Sequence, residues 1–177
     1  MARQIFRSGF SWKVIEDRWP AFELAFEGFD PARLVMLPDE RIDALMKDTR
    51  IVRNGPKIKS TLANARYVWE TSKAHGGFGR YIAGWPGENI VGLWDALKKD
   101  GDRLGGNTGP MTLRMLGKDT FILSNDVVKA LVAAGVVDKA PTGKKALAEV
   151  QAAFNAWQAE TGRPLCQLSR ILALSVD

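Results

Sequence analysis

The chain is 177 residues long and 46% hydrophobic, enough for one well-filled core with room for a small lobe beside it. Its formal net charge of +5 suits an anionic partner without the density of a histone-like tail, and it bears on partners and solubility, not on fold. One cysteine (Cys166) excludes an internal disulfide, one histidine (His75) leaves no Cys/His zinc set, and no Asp/Glu loop has calcium spacing. No apolar run approaches the roughly 20 residues that span a bilayer, and no secretory signal is visible. A reduced, cytoplasmic setting with no membrane contact and no metal or cofactor is the expectation.

Helical periodicity runs throughout, without a clear alternating β-branched stretch. The opening, Met1 to Trp12, already alternates apolar and polar residues as if inside a folded element, and reads equally as an abrupt start or as the interior of a longer chain. Phe10 to Phe29 is a helical stretch that Pro20 should break or kink. Asp30-Pro31 is a cap with proline at the first helical position, opening a short helix to Met36. Leu37-Pro38-Asp39 repeats the device before Glu40 to Lys47, where Ile42, Leu45 and Met46 share a face.

Asn54-Gly55-Pro56 punctuates, and a long helix is predicted from about Lys57 to Ala74, ended by His75-Gly76-Gly77. Its polar face is read as Lys57, Lys59, Asn64 and Arg66, and its inward face as Ile58, Leu62, Tyr67 and Val68. After a turn at Gly84 to Gly87, helices are expected over 90–99, 111–116, 125–134, 142–159 and 164–174. The result is a single all-α unit over residues 1–177, with two lobes around one groove as a variant.

Between two of these helices lies Leu104-Gly105-Gly106-Asn107-Thr108-Gly109-Pro110, with three glycines in five residues. A helix–glycine hairpin–helix of this kind presents bare amide N–H groups at a helix N-terminus, where a phosphate is welcome. The flanking Lys98, Lys99, Arg103, Arg114 and Lys118 fit a phosphodiester grip or a solvated basic face. Asp126, beside Ser124 and Asn125, is either a plain helix N-cap or first-turn acid, or a carboxylate placed to stabilise positive charge on a sugar or to orient a water. The aromatics Phe6, Phe10, Trp12, Trp19 and Phe22 read as core, with Trp12 alternatively a wall for a stacked base. His75 caps a helix end. No Ser or Cys nucleophile has a His/Asp partner set and no phosphate-binding loop ends in lysine, which removes common hydrolases and nucleoside-triphosphate enzymes.

Four blocks then act together: Ser8-Gly9-Phe10-Ser11-Trp12-Lys13-Val14-Ile15, Phe29-Asp30-Pro31, Thr49-Arg50-Ile51-Val52-Arg53-Asn54-Gly55-Pro56-Lys57-Ile58, and Asn64-Ala65-Arg66. In order and spacing this set resembles the 3-methyladenine DNA glycosylase I family. The Gly105 to Asp126 segment resembles the helix-hairpin-helix region of the wider glycosylase superfamily. The resemblance implies an all-α glycosylase fold. It implies a monofunctional enzyme that flips an alkylated base from duplex DNA and hydrolyses its N-glycosidic bond, working as a monomer. On that pattern Trp12 is a pocket wall and Gln4 stands at the pocket glutamate position. Asp126 takes the superfamily carboxylate position, and Gly105, Gly106, Asn107, Thr108 and Gly109 hold a backbone phosphate. Pro110 and Met111 stand where lyase-type relatives place a lysine, so no Schiff-base step is implied. Val127 stands where a zinc-ligand histidine would follow Asp126, and the family's N-terminal helices have no counterpart. A zinc-free, divergent or N-terminally short member results. A non-catalytic helix-hairpin-helix DNA-binding protein is the alternative, and a helical interaction domain a third reading.

Overall fold

The computed structural model describes residues 1–176, and every regular element among them is helical. The first half runs α1 (Ala2–Arg7), α2 (Trp12–Ala25), a 3-10 turn (Glu27–Phe29), α3 (Pro31–Val35), α4 (Asp39–Lys47) and the long α5 (Gly55–His75). The second half runs α6 (Phe78–Gly84), a 3-10 turn (Gly87–Asn89), α7 (Ile90–Asp100), α8 (Thr108–Met115), α9 (Asn125–Ala133), α10 (Lys144–Thr161) and α11 (Leu165–Leu174).

Local chemistry explains most boundaries. The Asp30 carboxylate accepts from the Ala32 N–H at 2.9 Å with Pro31 in the first turn, so α3 starts as its sequence dictates. Asn54 caps α5 by accepting from the Lys57 N–H at 3.1 Å, and Gly76 ends it in the left-handed region. His75 lies in the last turn of α5, but the C-cap position is held by Gly76, and among the described residues the His75 side chain makes no hydrogen bond to the helix end. Ahead of α4 the device differs from the expectation: Pro38 itself holds the cap position and no side chain closes the turn.

Pro20 does not break its helix. α2 continues through it because Ile15, Trp19 and Phe22 all bury one face. An interior proline costs about 3 kcal/mol. Burying that many large side chains contributes roughly 1.5–3 kcal/mol apiece and outweighs it. The short α6 is an element that periodicity did not reveal, since Gly79 and Gly84 interrupt its pattern. Helix α8 begins at Thr108 instead of Met111, drawing Gly109 and Pro110 into its first turn, where a missing proline N–H costs nothing.

Two apolar cores result. The first gathers Phe6, Trp19, Phe22, Phe26, Ile51 and Ile58, and the second Ile5, Leu93, Leu97, Leu113, Phe121 and Phe154. Helices α1 and α5 contribute to both: Phe6 and Ala65 face the first core, Ile5 and Tyr67 the second. The Asp119 carboxylate accepts from the N–H groups of Leu165 (2.8 Å) and Cys166 (2.9 Å), capping α11 from a distant turn and tying the chain end to the segment after α8.

Candidate nucleic-acid interface

Positions 57, 60, 61 and 64 of α5 fall at i, i+3, i+4 and i+7 and share one face. All four are polar, and all four are buried. The expectation that Lys57 and Asn64 sit on a solvent face is therefore overturned. Two loops from elsewhere in the chain pack onto this face and satisfy Lys57, Ser60 and Asn64, while the Thr61 hydroxyl donates to the Lys57 carbonyl of its own helix at 3.0 Å.

Lys57 holds the first loop. Its ammonium donates to the carbonyl of Phe6 at 3.1 Å and to that of Ser8, and lies 4.5 Å from the Phe10 ring. Burial holds its pKa below the ordinary 10.5, and the nearby Arg103 charge adds to the effect. The Ser8–Ser11 turn is thus pinned just before Trp12 opens α2.

Asn64 holds the second loop. Its Nδ2 donates to the Asp102 carbonyl at 2.8 Å and its Oδ1 accepts from the Asp102 N–H at 3.0 Å. Ser60 donates to the same carbonyl at 3.1 Å. The glycine hairpin follows at once. Lys57 and Asn64 are two turns apart, so the two loops flank one helix about 10 Å apart along its axis.

The hairpin is tightly built. Gly106 takes a φ of +57°, which favours glycine. Gly109 is buried, and a Cβ there would come within 2.5 Å of the Leu104 carbonyl oxygen, so this glycine serves close packing of α8 on the turn. Among the described residues, the amides of Gly106, Asn107 and Gly109 donate to no backbone acceptor. Asn107 donates through Nδ2 to the Leu123 carbonyl at 2.8 Å, which draws the hairpin toward the turn that opens α9. Lys98 lies along Gly105, its Cγ 3.4 Å from where a Cβ would sit.

The remaining anticipated residues are more scattered. Asp126 lies in the first turn of α9, behind the Ser124 cap, half-exposed and 3.5 Å from the Lys129 ammonium. Trp12 is 52% exposed, with the Arg7 guanidinium 4.8 Å over its ring. It and the exposed Phe10 are not core, whereas Phe6, Trp19 and Phe22 are. A helix-initiating position leaves the Trp12 ring beyond the reach of either apolar cluster. Gln4 is buried in α1. An apolar cleft of about 340 Å³, with Trp19, Phe29, Leu34, Val68 and Phe78 among its walls, opens beside α1, and neither Trp12, Gln4 nor Asp126 lines it.

No group of His, Cys, Asp or Glu among the described residues has the arrangement to hold a metal ion. The zinc set that the resemblance carries does not fit this chain, because Val127 is an apolar core residue of α9 with no donor atom to offer. No described helix is long and apolar enough to cross a membrane.

The family model for methyladenine glycosylases matches residues 2–100. DNA-3-methyladenine glycosylase 1 of Escherichia coli (strain K12) is 28% identical over 60 residues, which make up 34% of this chain and 32% of that protein. The match therefore spans about a third of the curated relative's length. Among solved structures, 3-methyladenine DNA glycosylase I from Staphylococcus aureus superposes with a TM-score of 0.53 at 24% identity, covering 66% of this chain and 70% of that one. A variant of 3-methyladenine DNA glycosylase I in complex with 3-methyladenine gives 0.54 at 22% identity, covering 66% and 71%. These superpositions establish a common all-α fold. The family model covers every block that α5 draws together up to the end of α7, and with more than half of its residues matched the chain belongs to the methyladenine glycosylase family.

Proposed function

We propose that the chain is a monofunctional DNA glycosylase that hydrolyses the N-glycosidic bond of alkylated bases of the 3-methyladenine type in duplex DNA, as a step of base excision repair. The carrying observation is α5 itself, which fixes an exposed tryptophan turn and a glycine hairpin with unpaired amides on one buried face. A hairpin of this kind suits a backbone phosphate, and an open indole suits a flipped base.

In this reading Gly105, Gly106, Asn107, Thr108 and Gly109 hold the DNA backbone, Trp12 stacks on the extruded base, and Gln4 of α1 takes the pocket position of the family's glutamate. A base alkylated at N3 is cationic and departs readily, so the protein supplies little acid catalysis. Gln4 offers hydrogen bonds without a negative charge. Asp126 stabilises the sugar cation or orients the attacking water, which requires the bound DNA to enclose its exposed carboxylate. The chain works as one unit, as a monomer, in the cytoplasm, with no metal.

The test is release of methylated adenine from alkylated duplex DNA. The full chain is expected to release it, Trp12→Ala and Asp126→Asn more slowly. Absence of release of any alkylated base defeats the enzymatic reading, and duplex binding without excision leaves only a DNA-binding role.

A further inference from the structure

Arg103 carries a conformational cost and a charge that the proposed function does not yet use. It is a non-glycine residue at φ +57°, in the left-handed region where a Cβ is disfavoured by roughly 1–2 kcal/mol. Such a residue persists only where its surroundings over-determine it. Here they do: the preceding residue, Asp102, has both backbone groups gripped by the buried Asn64 (2.8 and 3.0 Å), with Ser60 adding a third bond at 3.1 Å. On the other side, Leu104 is buried in the second core. The backbone is locked at both neighbours, while the Arg103 side chain is exposed and has no carboxylate partner among the described residues. Lys57, which pins the tryptophan turn, feels its charge. Arg103 thus stands at the entry to the hairpin, one residue before Leu104, and Lys98 lies along Gly105 within it.

We propose that Arg103 grips a DNA phosphate beside the one taken by the hairpin, and that Asn64 is the positioning residue that presents it by locking Asp102. The inference rests on the duplex-DNA reading above. A planar guanidinium suits two phosphate oxygens at once, and a second grip at the entry to the hairpin holds the strand's backbone while a nucleotide rotates out. The strain is then spent on presenting the charge in advance of binding.

The experiment measures affinity of the full chain for a duplex with a stable abasic analogue across a range of salt concentrations. Arg103→Ala is expected to weaken binding about fivefold and to flatten the plot of log affinity against log salt by about one unit, whereas Arg103→Lys keeps the slope. Arg103→Gly relieves the backbone while removing the charge. It should melt no lower than the parent yet bind like Arg103→Ala, which separates charge from fold. Asn64→Ala should weaken binding by a similar factor, and adding it to Arg103→Ala should cost little more, since both act through one contact. If Asn64→Ala does not fold, Asn64→Asp, which keeps the acceptor for the Asp102 N–H but loses the donor, serves in its place. An unchanged salt slope in Arg103→Ala, or multiplicative losses in the double variant, overturns the inference alone. A parent chain with no duplex affinity overturns it together with the glycosylase reading.

Discussion

Replacing Lys57 with methionine keeps the buried volume and the contact with Phe10 but removes both hydrogen bonds to the Ser8 turn. Charge-assisted bonds contribute about 1.5–3 kcal/mol each, which sets an upper figure near 6 kcal/mol for the pair. The ammonium is buried, so removing it also returns a desolvation cost of several kcal/mol; the carbonyls of Phe6 and Ser8, left without their donor, take back part of that. The net loss is about 2–3 kcal/mol. For a chain of this length that corresponds to a drop in melting temperature of about 4–12 °C. Thermal melting followed by far-ultraviolet circular dichroism measures it directly. Excision of methylated adenine, assayed well below the lower midpoint, should fall further than the residual folded fraction explains, because Trp12 begins where the freed turn ends. A midpoint within about 1 °C of the parent would show that the turn is held by its own geometry and that Lys57 is not its anchor.

The two hairpin glycines should respond differently to alanine. Gly106→Ala meets open space and pays only the left-handed backbone cost of about 1–2 kcal/mol, whereas Gly109→Ala drives a methyl against the Leu104 carbonyl oxygen and should lose more stability and duplex affinity. Chemical-denaturation midpoints and duplex titrations compare them, and equal losses would contradict the packing role of Gly109. Asp119→Ala removes the cap of α11 and should cost about 1–2 kcal/mol, with Asp119→Asn between it and the parent in urea melts. Between the lowered pKa of folded Lys57 and the ordinary 10.5, the unfolded chain binds more protons than the folded one, so stability gains with rising pH across that window. Melting at a series of alkaline pH values should show a gain that Lys57→Met lacks.

Much of the helical frame was legible from local signals. Asp30-Pro31 and Asn54-Gly55-Pro56 each cap the helix that their residue types announce, whereas α9 is capped by Ser124 and not by Asp126, which sits in its first turn. The motif blocks were legible as a set, but not their purpose. A lysine, a serine, a threonine and an asparagine at helical spacing look like a wetted face, and nothing nearby in sequence says otherwise. Apart from Thr61, which bonds within its own helix, their partners lie far off along the chain, at Phe6 and Ser8 for Lys57 and at Asp102 for Asn64 and Ser60. Local periodicity registers burial of apolar groups and is blind to polar groups satisfied from a distance. The same blindness put Phe10 and Trp12 in the core: aromatic character argued for burial, while their place in and just after a tight turn kept them outside it.

Helix α5 spans both apolar cores without a break, 21 residues from Gly55 to His75. Two bodies sharing a continuous helix cannot swing toward each other like jaws; a hinge would have to snap hydrogen bonds in the middle of that helix. A partner therefore meets a surface of preset curvature, with the tryptophan turn and the hairpin at a spacing that does not adjust. For a duplex, whose bending costs a few kcal/mol over a short site, the distortion falls on the nucleic acid. Under the glycosylase reading, lesions that already soften the helix would be distorted at least expense, and discrimination would begin in the mechanics of the DNA before any base reaches a pocket.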